Sequence, residues 1–431
     1  MSDIRKAALK AQEYLKANGA DTYAVSVSES EQNEFNYSDR FDMLRTVYSD
    51  GMHIKVIIDG KLGTASGNDI SDEGVSSLVL AALAGSESAE PDPARAIAPF
   101  AGRKKYREGP LKYDEDALYA ASSGLIKDAA EKFPKVLISG VYSSHVKGNG
   151  IYLNSNGTEF ETEEGAYQVF VQFAGNDGKS TTSLNYAMFA LPNLDTPLIE
   201  MPYLRRALTA SEKSLGAKPF SGKFTGTAVL TPDMTERFLD DLLGNYISGQ
   251  SIMKGTSRWM GKIGKKVAHE SLSVVFDPFD RRILNPERIT SDGFEAERVP
   301  VIENGVLKNY MLDLYAANKT GLKPTKNDWC GEIVAPGNKG IDKIIGSVKE
   351  GILVGGFSGG EVTSSGEFSG VAKNSFIIRD GKIAEPVTEA MINGNIEDFF
   401  LNIKGISRET EEEGSRSTPY IASDGIVVSG K

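Results

Sequence analysis

The chain has 431 residues, 40% hydrophobic and 25% charged, enough for two or three domains with sizeable cores and unlike the composition of a disordered or membrane-spanning chain. A formal net charge of -11 argues against a general nucleic-acid surface, because phosphate binding needs clustered Lys and Arg. A single cysteine, Cys330, excludes an internal disulfide framework and agrees with a reducing compartment.

The first stretch, MSDIRKAALKAQEYLKANG, has polar or charged residues at every turn, so it reads as a surface helix rather than a signal peptide or anchor. Cytoplasm is the expected compartment. Ile4, Ala8, Ala11 and Leu15 make the helix's apolar face, Ser2 or Asp3 can cap it, and Gly19 can end it. Thr22 to Ser28 reads as a strand, and Met52 to Ile58 with Leu62 to Ser66 as a hairpin turned at Asp59-Gly60. A helix from about Ser71 to Leu83 follows. Residues 86 to 112 carry Pro91, Pro93, Pro99 and Pro110 among charged residues and read as an extended surface connection with no element. A helix from Asp114 to Phe133 leads into KVLISGVYSS, GIYLNSNGTEFETEEG with an Asn156-Gly157 turn, AYQVFVQFAG and STTSLNYAMFA, the pattern of an antiparallel meander. A further helix, about Pro197 to Leu215, closes this half.

FTGTAVLTP is a strand that feeds the stretch Thr231 to Ala268. That stretch begins as a helix: Thr231 or Asp233 can cap it, Pro232 suits its first turn, and Met234, Phe238, Leu239 and Leu242 recur at helical spacing. Asp240 and Asp241 are adjacent on it and point about 100° apart, so they cannot both face one ion. The expectation is one carboxylate in solvent and one paired with a nearby base such as Arg237 or Lys254. Strands at Leu272 to Phe276, Arg298 to Glu303 and Val306 to Leu312, with hairpin turns at Glu303-Asn304-Gly305 and Arg379-Asp380-Gly381, predict a second antiparallel core. ETEEEGSRST reads as a charged loop before a last strand, Gly425 to Ser429. The expected fold class is α+β in two domains: residues 1–218, helices packed on a mixed or antiparallel sheet, and residues 219–431, dominated by antiparallel sheet with few helices.

Three other features invite chemistry and do not carry it. His269-Glu270 has no second His one turn on and runs into strand-like LSVVF, so His269 reads as a surface residue, and His53 and His145 sit in separate predicted strands. SGGEVTSSGEFSG lacks the Lys of a phosphate loop, so its glycines serve turns and close backbone approach. Cys330, in TKNDWCGE with no His nearby, reads as a partly buried structural residue.

The helix with Asp240, Asp241 and Asn245, followed by the Gly- and Ser-rich run through GTSRWMGKIG, resembles the central segment of the TldD/PmbA family, the "modulator of DNA gyrase" proteins and their metallopeptidase relatives. ERVPVIENGVLKNYMLDLYAANKTG and LVGGFSGGEVTSSGEFSGVAKNSFIIRDGKIAEPV, in that order, resemble two later family segments. The TldD branch carries H-E-x-x-x-H in the central helix. Counting back from Gly255, Gly261 and Gly264 puts Asp240 at the first His, Asp241 at the Glu and Asn245 at the second His. A TldD-like protein also supplies a Cys near its C-terminus as third ligand, and Ser415 to Lys431 contains none. A catalytic zinc needs about three protein ligands and an open position, and here Asp240 is a carboxylate while Asn245 offers a weak amide oxygen.

The resemblance therefore implies the PmbA (TldE) branch: a chain with no expected cofactor, catalytic residue or metal ligand, inactive alone, pairing with a TldD-like metallopeptidase that supplies zinc. It also implies a homodimer in isolation, peptide or unfolded protein as substrate of the complex, and no direct contact with nucleic acid or membrane. Two alternatives stay open. One is a stand-alone homodimeric metallopeptidase with carboxylate ligands such as Asp240 or Asp241. The other is a protein-binding modulator that acts without proteolysis, since large antiparallel sheets offer edges for strand addition.

Overall fold

The computed structural model describes residues 3–38, 41–284, 286–360 and 362–430. Ser2, one of the two expected caps of the first helix, lies outside them. The first half contains α1 (Asp3–Ala17), β1 (Tyr23–Ser38), β2 (Phe41–Ile58), β3 (Lys61–Gly67), α2 (Asp72–Ser88), β4 (Arg103–Glu108), α3 (Glu115–Lys132), β5 (Val136–Asn154), β6 (Glu159–Gly175), β7 (Asn185–Leu191) and α4 (Pro202–Lys213). Its seven strands form one sheet in the order β3-β2-β1-β5-β6-β4, with β7 also on β6. Ile4, Ala8, Ala11 and Leu15 of α1 and Val75 and Val79 of α2 bury one end of that sheet through Val25, Val27, Ile54 and Val56. α3 and α4 bury the other end through Leu118, Leu125, Leu204 and Leu208.

Two elements here exceed what apolar periodicity shows. β1 and β2 run on to a hairpin pairing Ser38 with Phe41, well past the expected ends at Ser28 and Met52. Residues 42 to 50 are exposed or half-buried, Met43, Leu44 and Tyr48 included, so this part of β2 is held by its backbone ladder to β1, which is itself flanked by β5 and buries Phe35. Within 86 to 112, read as having no element, β4 pairs in parallel with β6. Its sequence RKKYRE answers the acidic EFETEE of β6 by cross-strand ion pairs, Lys105 to Glu161 at 3.7 Å and Arg107 to Glu163 at 3.4 Å, a charge code that a hydrophobic pattern misses.

The second half contains β8 (Lys218–Pro219), β9 (Lys223–Leu230), α5 (Pro232–Ile247), α6 (Gly249–Met253), β10 (Val274–Phe276), β11 (Val299–Glu303), β12 (Val306–Leu307), α7 (Leu314–Thr320), β13 (Glu332–Val334), α8 (Ile341–Gly346) and β14 (Glu350–Val354). Then come β15 (Phe357–Gly359), β16 (Glu367–Ala372), β17 (Ser375–Arg379), β18 (Lys382–Thr388), β19 (Ala390–Asn395), α9 (Ile396–Leu401), β20 (Ile403–Glu412) and β21 (Arg416–Ser429). They build a second, 14-stranded sheet, and the chain is an α+β protein. Most pairs are antiparallel, but β13 with β21, β9 with β14 and β8 with β18 are parallel, so this core is mixed. The expected hairpin turns are present: Asn304 and Gly305 have φ of 50° and 75°, and Asp380 and Gly381 have 44° and 75°, the left-handed pair that Asn-Gly and Asp-Gly adopt readily. ETEEEGSRST is not a loop. It is the end of β20, a tight turn and the start of β21, so the last strand begins nine residues earlier than Gly425.

α5 lies on this sheet with Met234, Phe238, Leu239, Leu242, Leu243 and Tyr246 buried. Thr231 takes the N-cap position, but its hydroxyl donates to the carbonyl of Val354 at 3.1 Å and so ties the helix start to β14. Phe238 is the hub of the core, with ring centroids 5.8, 5.0 and 5.7 Å from those of Phe357, Phe368 and Phe399. No helix among the described residues is long and apolar enough to cross a membrane. Replacing Phe238 with Ala removes the shared partner of three rings, and we expect a loss of about 3–5 kcal/mol, read as a lower urea midpoint by tryptophan fluorescence.

Candidate functional site

Three of the four acidic residues of α5 fall on one face. Asp233, Glu236 and Asp240 are spaced i, i+3 and i+7, one side of a helix whose opposite side is core. Each meets an arginine from another element. Arg206 of α4 donates to Asp233 at 3.0 Å and, as a fork, to both carboxylate oxygens of Glu411 at 2.6 and 2.9 Å. Arg416, the first residue of β21, places Nη1 2.9 and 2.8 Å from the two oxygens of Asp240 and 3.0 Å from Glu236. Asp240 is thus paired, but with Arg416 rather than Arg237 or Lys254, the bases expected from sequence proximity. Arg237 instead lies 5.5 Å over the ring of Phe357 and donates to its carbonyl. Asp241 and Asn245 are both half-buried on the same helix.

A third carboxylate stands under Arg416. Glu332 of β13 is its register partner in the parallel pair, is 1% exposed, and holds one oxygen 3.8 Å from Nη1. Its other oxygen is buried with no hydrogen-bond partner. Burial pushes the Glu332 carboxyl up to about 8, with the Arg416 charge opposing and Asp240 and Glu236 adding to the rise. Burial likewise raises Glu236 and Glu413, each further raised by neighbouring carboxylates. Burial also disfavours the charge on Arg416 itself, but Glu332, Glu236 and Asp240 more than offset this. The turn before Arg416 is clamped from two sides: Ala190 of β7 donates to Glu413 O at 2.8 Å and Leu284 to Gly414 O at 2.7 Å. Gly414, at φ 91°, lies so close to Ala190 that an added Cβ would sit 2.7 Å from that methyl.

The glycine-rich run after α5 is a packed turn system. Gly255, Gly261 and Gly264 all have positive φ, 67°, 71° and 80°. They fold the run so that Trp259 is buried against Tyr246, ring centroids 5.3 Å apart, with its indole N–H donating to Glu397 at 2.9 Å. The three histidines are scattered. His53 contacts Ser66, His145 is buried between Tyr113 and Tyr167 with Nε2 2.8 Å from Pro110 O, and His269 contacts Ser271 in a turn. Cys330 is half-buried, and burial pushes its thiol up to about 11, so it is no ready nucleophile. The two halves meet along a cleft of about 900 Å³ lined by Ser28, His53, Glu164, Glu287, Thr290 and Asp328. Lys104 and Tyr106 bond to Glu295 beside it at 2.7 and 2.9 Å.

Glu236, Glu332, Glu411 and Arg416 escape a reading by motif. The i, i+4 spacing of Glu236 and Asp240 is visible in the sequence, but Arg416 lies 176 residues beyond Asp240 and Glu332 meets both only through the strand order. Because folded Glu332 keeps its proton up to about 8, against an ordinary 4.5, the folded state binds more protons than the unfolded one between those values. The stability it allows is complete below the lower value and declines as pH rises through the upper. We expect Glu332→Gln to flatten the fall of melting temperature between about pH 5 and about pH 9, measured by calorimetry.

Comparison with known proteins places this architecture. Residues 221–430 match the PmbA/TldA metallopeptidase C-terminal domain. A Methanothermobacter thermautotrophicus metalloprotease is 26% identical over 83% of this chain and 82% of its own length. The PmbA homologue of Haemophilus influenzae, also named a metalloprotease, is 24% identical over 88% and 85%. The crystal structure of TldE from Thermococcus kodakarensis superposes over the whole of both chains with a TM-score of 0.83 at 22% identity, a likeness of fold. The residues present do not fit the zinc that the TldD branch carries: at the aligned position Asp240 is taken by the Arg416 guanidinium, and no His, Cys, Asp or Glu trio among the described residues is grouped to hold a metal ion. By residues 221–430 the chain carries a PmbA/TldD-family domain, and its relatives along most of its length include a PmbA homologue.

Proposed function

We propose that this chain is a non-catalytic, PmbA/TldE-like subunit that pairs with a TldD-like metallopeptidase, with residues 1–218 and 219–431 as its two domains. The partner supplies zinc and general base, and this chain supplies wall and contact surface for a peptide or unfolded segment in the cytoplasm. The observation that carries the reading is the bond from Arg416 to both oxygens of Asp240. A cation already occupies the carboxylate that a zinc would need. The same bond counts against a stand-alone peptidase with Asp240 as ligand, because metal entry would have to displace a partly buried guanidinium that Glu236 and Glu332 also hold.

The test is metal content and activity of the chain alone and with a partner. Purified protein dialysed against zinc should retain well under one zinc per chain by elemental analysis, show background cleavage of unfolded peptides alone, and co-elute with a TldD-like chain carrying H-E-x-x-x-H. Stoichiometric tight zinc, or chelator-sensitive peptidase activity lost on Asp240→Ala, overturns it.

A further inference from the structure

We propose that the cleft between the two halves binds an extended peptide segment through its Lys or Arg side chains, with Glu164, Glu287 and Asp328 receiving the cations. This rests on the reading of the chain as a contact surface for peptide, and adds where the segment lies and what side chains it carries.

Strand residues alternate between faces, and α1 and α2 cover the face of the first sheet that carries Val25, Val27, Ile54 and Val56. The cleft lies on the other face. There Gly51, Ser28, Gly150 and Thr162 are register partners across β2, β1, β5 and β6 and form a trough with little side-chain bulk. Tyr152 and Phe160, partners in the next row, stack with ring centroids 6.5 Å apart and bound it. The opposite wall is residues 287 to 291 of the second half. Bonds hold that wall in place: Ser291 N–H donates to Asp328 at 2.6 Å, Arg288 pairs with Glu108 at 2.6 Å, and the Tyr152 hydroxyl donates to the carbonyl of Asp292 at 2.9 Å. The space is thus preformed, and its volume of about 900 Å³ is of the order of the roughly 300–1,000 Å³ found at ligand sites.

Charge selects the occupant. Burial raises the Glu287 carboxyl, and the charges of Asp328 and Glu164 raise it further, so the three acids act on one another across the cleft. Among the described residues neither the Glu164 nor the Glu287 carboxylate has a hydrogen bond or ion pair. Arg288 is already held by Glu108, and Lys55 by Asp292 at 3.4 Å. His53 is kept below its ordinary range by burial and by Lys55, so it adds no positive charge at neutral pH. Lys and Arg meet both features, since their apolar stems lie along the trough and its aromatic edge while their charged heads reach the carboxylates. An extended segment turns every second side chain to one face, so Lys or Arg at alternate positions presents several cations to the cleft at once.

The probe is a short, unstructured, fluorescein-labelled peptide with Lys at alternate positions, read by fluorescence anisotropy on the full chain beside its Gln counterpart and with spermine as competitor. The Lys peptide should bind wild type roughly tenfold or more tightly than the Gln peptide, and E164Q/E287Q should weaken it by roughly tenfold. Ser28→Phe, which fills the trough, should weaken it as well. E13Q/E131Q, the same change of charge on α1 and α3, should bind as wild type does. Melting curves check that each variant is folded, and if Ser28→Phe is not, the isosteric E164Q/E287Q decides alone. The assignment is overturned if the Lys peptide does not bind, if E164Q/E287Q or a folded Ser28→Phe binds it as wild type does, or if E13Q/E131Q weakens it equally. Displacement by spermine at equal concentration also overturns it, because the occupant is then a free polyamine. Zinc content and co-elution with a TldD-like chain do not depend on these outcomes, so failure here leaves the non-catalytic reading standing.

Discussion

Strand β21 is the constraint on which the second half turns, because it is bonded to four other strands, β9, β13, β19 and β20. Its first residue is Arg416 and its central stretch, Ile421 to Ile426, lies under the core that α5 covers. A strand held by four neighbours cannot slide, since a shift of one residue would exchange its buried and exposed faces. The guanidinium of Arg416 is therefore delivered to one point over the acidic face of α5. The helix in turn is fixed by Phe238 and by the Thr231 bond to β14, so both sides of the ion cluster are positioned by packing that does not depend on it.

Two such clusters divide the acidic face of α5. Arg206 comes from α4, whose apolar side belongs to the core of the first half, so its bonds to Asp233 and Glu411 join the halves through charge. Arg416 joins elements within the second half. Removing one partner of a buried ion pair strands a charge and typically costs about 3–5 kcal/mol, whereas replacing all partners by apolar residues is often neutral. Stability alone thus does not explain why Glu332 sits beneath Arg416 with an unpartnered oxygen.

Much of the architecture is legible from local chemistry. The apolar faces of α1, α2, α3 and α5 follow from spacing, and the turns at Asp59-Gly60, Asn304-Gly305 and Asp380-Gly381 follow from residues that accept positive φ. The strands that escape such a reading are those whose cause is not a buried face. β4 is held by ions across to β6, the far ends of β1 and β2 by backbone ladders along a mostly exposed β2, and the start of β21 by neighbours on β13 and β20. Asp240, Asp241 and Asn245 could be singled out by their offset from three glycines. Their partners could not, since nothing local to ETEEEGSRST distinguishes a solvated charge run from a strand that carries the counter-ion of a helix.

The same holds for the charges gathered around Arg416. Burial and neighbouring carboxylates raise the Glu236 and Glu332 carboxyls and the Arg416 charge opposes the rise, so one covalently attached cation sits among acids that favour their protons. The guanidinium is covalently present, and its Nη1 alone bonds both oxygens of Asp240. The charge balance on the acidic face of α5 therefore depends on the strand order that delivers Arg416 to it.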